Sequence, residues 1–328
     1  MNNTLSILGT GVYLPPARSV TELVKEAGQE PGEYQGWANC CHALEDDHPS
    51  TMGVTALRKA LKDADVDPSE LKLVIFAGMS RDYQPSWSVA TEIMKICGAE
   101  THCTGLDITS GCLGALSALD IAQGWLATHG GGVAAVVAAE RWTYTIDYTS
   151  TENMGLWSHS DGAAATVVGH NTAHHSKAEF CGAEFVSQSD LNGTVLIEYG
   201  GTRNPIAPPG VTPYGRKLMG LDRHDLRQRY SDGYSGSLAA LKARFDCNPE
   251  RVVINQTANL FLHLIASVIE IPIENFVVTG HETGHVGSAD IIIGLERLLE
   301  PGDLTEPCLM SGSTPYAFGT GLLMPAKN

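Results

Sequence analysis

One cysteine stands where a glycine-flanked polar turn runs into a helix of small and aliphatic residues, Asp107-Ile108-Thr109-Ser110-Gly111-Cys112-Leu113-Gly114-Ala115-Leu116. From Leu113 to Ala127 there is no proline and little polarity, which predicts a helix buried on nearly all sides. Ala115, Ala118 and Ala122 recur at helical spacing and let a neighbouring element come close. With Ser110 as N-cap and Gly111 as a tight turn, Cys112 falls in or near the first turn, where free N–H groups and the helix dipole favour an anion. A thiolate is that anion, and such positions lower a cysteine pKa from about 8.5 into a range of roughly 3.5 to 7.5. The chemistry this suggests is nucleophilic attack through a covalent intermediate. A cysteine that packs as a small hydrophobe is the commoner case, but the flanking glycines point to a thiol held at an opening.

The elements that must position Cys112 read as an α/β chain. With 328 residues, 43% hydrophobic and 18% charged, the chain can bury a full core and is long for one simple domain. Leu5 to Leu14 predicts a first strand. Its Gly9-Thr10-Gly11 lacks the third glycine and following helix of a dinucleotide loop. Val20 to Pro49 is weakly patterned and polar and reads as surface or as a partner-contacting excursion. Ser50-Thr51-Met52 opens an amphipathic helix stopped at Asp67-Pro68, and Leu71 to Gly78 is a continuous apolar strand of the kind buried on both faces. A helix near Val89 to Ile96, a short strand near Gly105 to Ile108, the Cys112 helix and the strand Val133 to Ala139 follow, which implies β-α-β crossovers.

The second half repeats the plan. A helix at Leu238 to Phe245, the stop Asn248-Pro249, a strand Arg251 to Asn255, a helix Leu260 to Val268, a strand Asn275 to Thr279 and a helix from about Ser288 to Leu299 succeed one another, and Cys308 to Ser311 with Gly319 to Pro325 closes the chain. This predicts an internal duplication, with residues 1–170 carrying Cys112 and residues 171–328 carrying His285. The turn His281 to His285 is then the counterpart of the Cys112 turn, so both can face one site. Asp290, five residues after His285, could orient its imidazole to take a proton from a thiol or an incoming hydroxyl, or could merely complement a helix dipole. His281-Glu282-Thr283-Gly284-His285 also spells a zinc-protease pattern, but that needs a helix, and Gly280, Gly284 and Gly287 break one. No metal is therefore expected. His159 and His174-His175 read as structural or surface residues.

Bulk properties narrow the partners. A net charge of −16 argues against general binding to nucleic acid or anionic membranes. No basic leader precedes a hydrophobic core at Met1, no apolar run approaches about 20 residues, and Cys40-Cys41 are adjacent among eight cysteines, so a reduced, cytoplasmic protein is expected.

Several motifs together resemble a known family. Ser50-Thr51-Met52-Gly53, Ser110-Gly111-Cys112-Leu113-Gly114, Ser160-Asp161-Gly162-Ala163-Ala164-Ala165 and Gly319-Thr320-Gly321 resemble the ketoacyl-ACP synthase III branch of the thiolase superfamily over nearly the whole chain. The resemblance implies a five-layered α-β-α-β-α fold of two duplicated halves, a homodimer, and a cysteine, here Cys112, acylated by a thioester; the apolar strand Val133 to Ala139, which would be an exposed edge in a monomer, fits the dimer. It also exposes two departures. The family's His-Gln-Ala-Asn stretch falls on Gln256-Thr257-Ala258-Asn259, and its His-Gly-Asn turn on Thr283-Gly284-His285, so the usual Cys-His-Asn set becomes Cys112, Gln256 and His285. That puts decarboxylative condensation in question. A Cys112-His285-Asp290 set instead resembles a branch found in antibiotic pathways, of the cervimycin malonyl transferase type, which moves an acyl group onto a sugar hydroxyl.

The expected function is acyl transfer from a carrier-protein or CoA thioester, through acyl-Cys112, to a hydroxyl or amine of a small acceptor in secondary metabolism, without a cofactor. Two alternatives stand beside it: a ketosynthase forming a carbon–carbon bond with Gln256 as donor, and a non-catalytic partner subunit, against which the intact Cys112 argues. The Cys112 N–H and a donor of the Ser313-Thr314 turn are the expected oxyanion hole. Trp37, matching a family tryptophan that clamps coenzyme A, together with Asn259 and Arg203 in Gly200-Gly201-Thr202-Arg203-Asn204-Pro205, completes the expected binding residues. Arg203, Arg216, Lys217, Arg223, Arg227 and Arg229 form the dense basic stretch, either a dock for an acidic carrier protein or a solvated loop and helix.

Overall fold

The computed structural model describes residues 4–83, 86–212, 215–219 and 222–326. The chain begins with β1 (Leu5–Tyr13), β2 (Ala17–Ser19), α1 (Val20–Glu26), β3 (Asn39–Cys41), α2 (Pro49–Ala64) and β4 (Leu71–Phe76). It continues with α3 (Val89–Cys97), β5 (Thr104–Asp107), α4 (Gly114–Thr128), β6 (Gly132–Glu140), β7 (Gly162–His170) and β8 (Ala178–Ser187). A small hairpin, β9 (Val195–Ile197) and β10 (Arg216–Leu218), precedes α5 (Arg223–Arg244), β11 (Arg251–Ile254) and α6 (Asn259–Ile269). β12 (Phe276–Val277), the short α7 (Gly280–Thr283), α8 (Ala289–Leu299), β13 (Cys308–Thr314) and β14 (Ala317–Met324) close it.

Ten strands pair in the order β12-β11-β13-β14-β8-β1-β7-β6-β4-β5. Read outward from the β8–β1 pair, the two sides match strand for strand: β1 with β8, β7 with β14, β6 with β13, β4 with β11, β5 with β12. Period-two alternation explains how each side is covered. Leu73 and Ile75 of β4 face one core with α4 and α8, whereas Val74 and Phe76 face another with α2 and α3. In the second half Val253 joins the α4–α8 core, while Val252 and Ile254 pack under α5 and α6. Helices α4 and α8 touch strands of both sides and each other, so they form the middle of five layers, with α2 and α3 outside one half-sheet and α5 and α6 outside the other. This is the thiolase-like α/β architecture of duplicated halves.

Three expectations are corrected. Strand β6, expected as an exposed edge that a second copy would cover, lies between β4 and β7, and the edges of the large sheet are β5 and β12. The segment Val20 to Pro49 is not mere surface: Val20, Leu23, Val24, Cys40 and Trp157 make a core of their own, and β3 contacts α7. Helix α5 starts at Arg223, 15 residues before the expected Leu238, because its first turns are polar and lie on the surface. All eight cysteines are free thiols, and among the described residues no helix is long and apolar enough to cross a membrane.

Candidate active site

Cys112 sits in a 3₁₀ turn, Gly111–Leu113, that runs straight into α4. Gly111 has φ of 55°, and a Cβ there would lie 2.5 Å from Thr314 Oγ1, so glycine is required both by the backbone and by the close approach of β13. Ser110 does not cap the helix through its side chain, as the sequence suggested; its hydroxyl instead accepts from Ser117 Oγ at 3.2 Å. Leu113 N donates to Ser110 O at 3.2 Å and Gly114 N to Gly111 O, which leaves the Cys112 N–H as the donor of this turn for a bound oxygen.

His285 arrives from the equivalent corner of the other half. Gly284, with φ of 67°, turns the chain out of α7, and a Cβ there would come within 2.7 Å of Ser158 O. The backbone of the first half clamps the turn: His285 N donates to Ser158 O and Ser160 N donates to His285 O, both at 2.9 Å. His285 Nε2 then lies 3.3 Å from Cys112 Sγ, and its Nδ1 lies 2.5 Å from Asp290 Oδ2. Asp290 is fully buried and also accepts from Gln256 N at 2.7 Å and Val286 N at 2.8 Å. Those donors fix the carboxylate, which accepts a hydrogen bond from Nδ1–H and leaves Nε2 facing sulfur. Burial pulls the His285 pKa down, but Asp290 and the Cys112 thiolate outweigh it and raise the pKa to about 10.

The other expected residues divide. Ser313 and Thr314 line the cavity beside Cys112, but the Ser313 N–H donates to Asn255 Oδ1 at 3.1 Å and is not free to serve an oxyanion. Gln256 is fully buried with its amide turned into the backbone: Nε2 donates to Ile254 O (2.7 Å) and Val277 O (3.2 Å), and Oε1 accepts from Thr279 N and Gly280 N, both at 3.1 Å. It ties β11 and β12 to the α7 turn and does not line the cavity. Trp37 is buried rather than offered to a nucleotide; its Nε1 donates to Gln256 O at 2.6 Å and its ring meets His281 edge-on at 4.8 Å. That contact also parts the two histidines of the zinc-like pattern, one against Trp37 and the other against Cys112.

Arg203 lies on an exposed loop, and Asn259 is half-buried at the start of α6; neither lines the cavity. The basic stretch breaks up as well. Lys217 pairs with Glu198 at 2.7 Å, and Arg229 with Asp190 at 2.6 Å and Asp225 at 3.0 Å. Arg203 and Arg227 are exposed, the Arg223 side chain lies outside the described residues, and Arg216 is buried in the site itself.

The cavity, about 400 Å³, runs from Cys112 and His285 to Tyr316 and is roofed by the β9–β10 hairpin. Sequence reasoning missed His159, Trp142 and Arg216. His159 stands two residues before Asp161 in a motif that was noticed, and Asp161 anchors this wall by accepting from Trp142 N, Thr143 N and Ala43 N. The sequence marked Arg216 only as one cation of the basic stretch; it sits on the three-residue strand β10 and is buried at the cavity.

Known proteins agree with this fold. The 3-oxoacyl-[acyl-carrier-protein] synthase III family matches residues 106–189, and its C-terminal family matches residues 248–326. The chain is similar to the β-ketoacyl-[acyl-carrier-protein] synthase III of Streptomyces lividans, 28% identical over 85% of this chain and 79% of that protein. A Neisseria meningitidis enzyme of the same name is 23% identical over 97% of this chain and 98% of its own length. Among solved structures, a priming β-ketosynthase of a polyketide pathway superposes with a TM-score of 0.82 at 22% identity, covering 99% and 97% of the two chains. The 3-oxoacyl-(acyl carrier protein) synthase III of Pseudomonas aeruginosa PAO1 gives 0.82 at 18% identity, covering 99% of each. The chain is similar to 3-oxoacyl-[acyl-carrier-protein] synthase III proteins and shares the fold of these solved structures.

Proposed function

We propose that this protein is an acyltransferase of secondary metabolism that passes an acyl group from a carrier-protein or CoA thioester to Cys112 and then to an acceptor hydroxyl or amine. The observation that carries the reading is the contiguous Cys112–His285–Asp290 set, 3.3 Å and 2.5 Å apart, with the Gln256 amide turned away from it. His285 Nε2, 3.3 Å from Cys112 Sγ, accepts the thiol proton as sulfur attacks. The thiolate attacks the thioester carbonyl, and the departing carrier thiolate takes the proton from Nε2. Giving up that proton leaves the imidazole neutral, held by Asp290 at Nδ1. Its bare Nε2 then accepts the proton of the incoming hydroxyl or amine as that oxygen or nitrogen attacks the acyl carbonyl, and Cys112 leaves as a thiolate. Carbon–carbon condensation is the second reading, favoured by the names of the relatives; a non-catalytic role would leave this set without a purpose. We further propose a homodimer, with the edge strand β5 as the strand a second copy would cover.

Intact-protein mass spectrometry with malonyl, acetyl and longer acyl thioesters tests the proposal. An acyl mass shift that disappears in Cys112→Ala is required, and no shift with any donor removes it.

A further inference from the structure

Beside the thiol, the cavity wall carries a cation that nothing pairs. Arg216 is 93% buried by its own 7% exposure, lines the cavity, and stacks over the Trp142 ring at 4.4 Å. Among the described residues no carboxylate oxygen lies within 4.0 Å of its guanidinium. Glu140 and Asp161 act on it only from a distance, and each is spent elsewhere. Glu140 accepts from Met79 N, Ser80 N and Ser80 Oγ, and Asp161 accepts from Ala43 N, Trp142 N and Thr143 N. Of its five N–H donors, the side chain uses one, Nη1 to His159 Nδ1 at 2.7 Å.

That one bond sets the histidine. An arginine only donates, so His159 Nδ1 accepts and its proton sits on Nε2. Burial first, then the charges on His285 and Arg216, push the His159 pKa well below the usual histidine value, which keeps the ring neutral. Among the described residues the buried side-chain nitrogen and oxygen atoms left without a partner reduce to Thr279 Oγ1. The unpartnered His159 Nε2 and Arg216 nitrogens are therefore not sealed in protein. Both residues line the cavity, so these donors open into it.

We propose that Arg216 and the His159 Nε2–H form an anion subsite, within reach of Cys112, for a carboxylate-class oxygen group carried by the substrate. A buried guanidinium needs such a partner, because an unpaired buried charge is costly and a charge-assisted bond to a carboxylate offsets that cost. Cys112 contributes negative charge here only while it is a thiolate; once acylated it is neutral, and the cation must find its anion on the acyl group or on the acceptor. The inference stands on the cavity and does not require the acyl-transfer reading.

Alkylation of Cys112 by iodoacetate against iodoacetamide reads the subsite without any thioester. The ratio of the two rates should fall about tenfold or more in Arg216→Met, by less in Arg216→Lys, and measurably in His159→Phe, with thermal melting confirming folded protein. Loading of Cys112 from malonyl against the near-isosteric 3-methylbutanoyl thioester locates the anion. A malonyl preference lost in Arg216→Met places the anion on the acyl group. Equal loading together with an iodoacetate preference places it on the acceptor, and both outcomes keep the subsite. An iodoacetate-to-iodoacetamide ratio unchanged in folded Arg216→Met and His159→Phe overturns it; should Arg216→Met not fold, the same ratio in Arg216→Lys and His159→Phe decides. An anion preference without any acyl adduct would keep the subsite and remove the acyltransferase.

Discussion

After β5 the chain turns through Gly111 into the cysteine-bearing start of α4; after β12, the matching strand of the second half, it turns through Gly284 into His285 ahead of α8. Both corners use a glycine at positive φ, both lead into a helix of the central layer, and both pack against the opposite half, the first on the Thr314 side chain and the second on the Ser158 backbone. They differ in what the helix start offers. The first holds its nucleophile beside an open N–H group, where a negative charge is favoured. The second holds an imidazole on a carboxylate that is itself fixed by two backbone donors, Gln256 N and Val286 N. Duplication thus supplies two equivalent places to stand side chains at one cavity, and in the proposed function divergence makes one of them a nucleophile and the other its base.

Removing the first corner's side chain should have the largest effect: Cys112→Ala abolishes the acyl adduct and lowers turnover by about 10³-fold or more. Next is the support of the second corner. Asp290→Asn keeps the fold but loses control of the imidazole tautomer, so the decay of pre-formed acyl-Cys112 in the presence of acceptor should slow on the order of 10²- to 10³-fold in single-turnover measurements. The same carboxylate also links charge to stability. His285 has its folded pKa raised from 6.5 to about 10, so its contribution is complete below about pH 6.5 and is lost as pH rises through about 10. Melting temperature should fall across that window in the parent, and the fall should be shallower in Asp290→Asn; equal slopes would separate Asp290 from the His285 charge.

Smaller effects sharpen the contrast between Gln256 and His285. Gln256→Ala leaves four backbone contacts unmet and should cost about 1–3 kcal/mol of stability by chemical denaturation, while Cys112 loading stays within a few-fold of the parent. Trp37→Phe removes one hydrogen bond to Gln256 O and should cost about 1 kcal/mol, with loading from a CoA thioester unaltered.

The order of strands and helices was legible because apolar runs of strand length, such as Leu71 to Phe76, alternate with helical spacing in both halves. Cys112, His285 and Asp290 were legible because turn glycines and short sequence separation carry local signals. What escaped depends on long-range pairing. Strand β8 mixes buried and exposed residues and was not read, since its pairing with β1 and β14 is invisible locally. The burial of Trp37 and the inward turn of Gln256 follow from one hydrogen bond across 219 residues. Arg216 looked like one cation of a surface stretch, and only the β9–β10 hairpin reveals that it roofs the site.

The central claim is that His285, and not Gln256, moves the proton of the incoming group. The most direct measurement is single-turnover transfer from pre-acylated enzyme to hydroxyl and amine acceptors, with carbon dioxide release from a malonyl donor followed in parallel. His285→Ala should accumulate acyl-Cys112 that does not move on, and Gln256→Ala should transfer near the parent rate without releasing carbon dioxide. Transfer at the parent rate in His285→Ala, with Gln256→Ala abolishing a turnover that releases carbon dioxide in the parent, would show the protein to be a ketosynthase with a substituted donor.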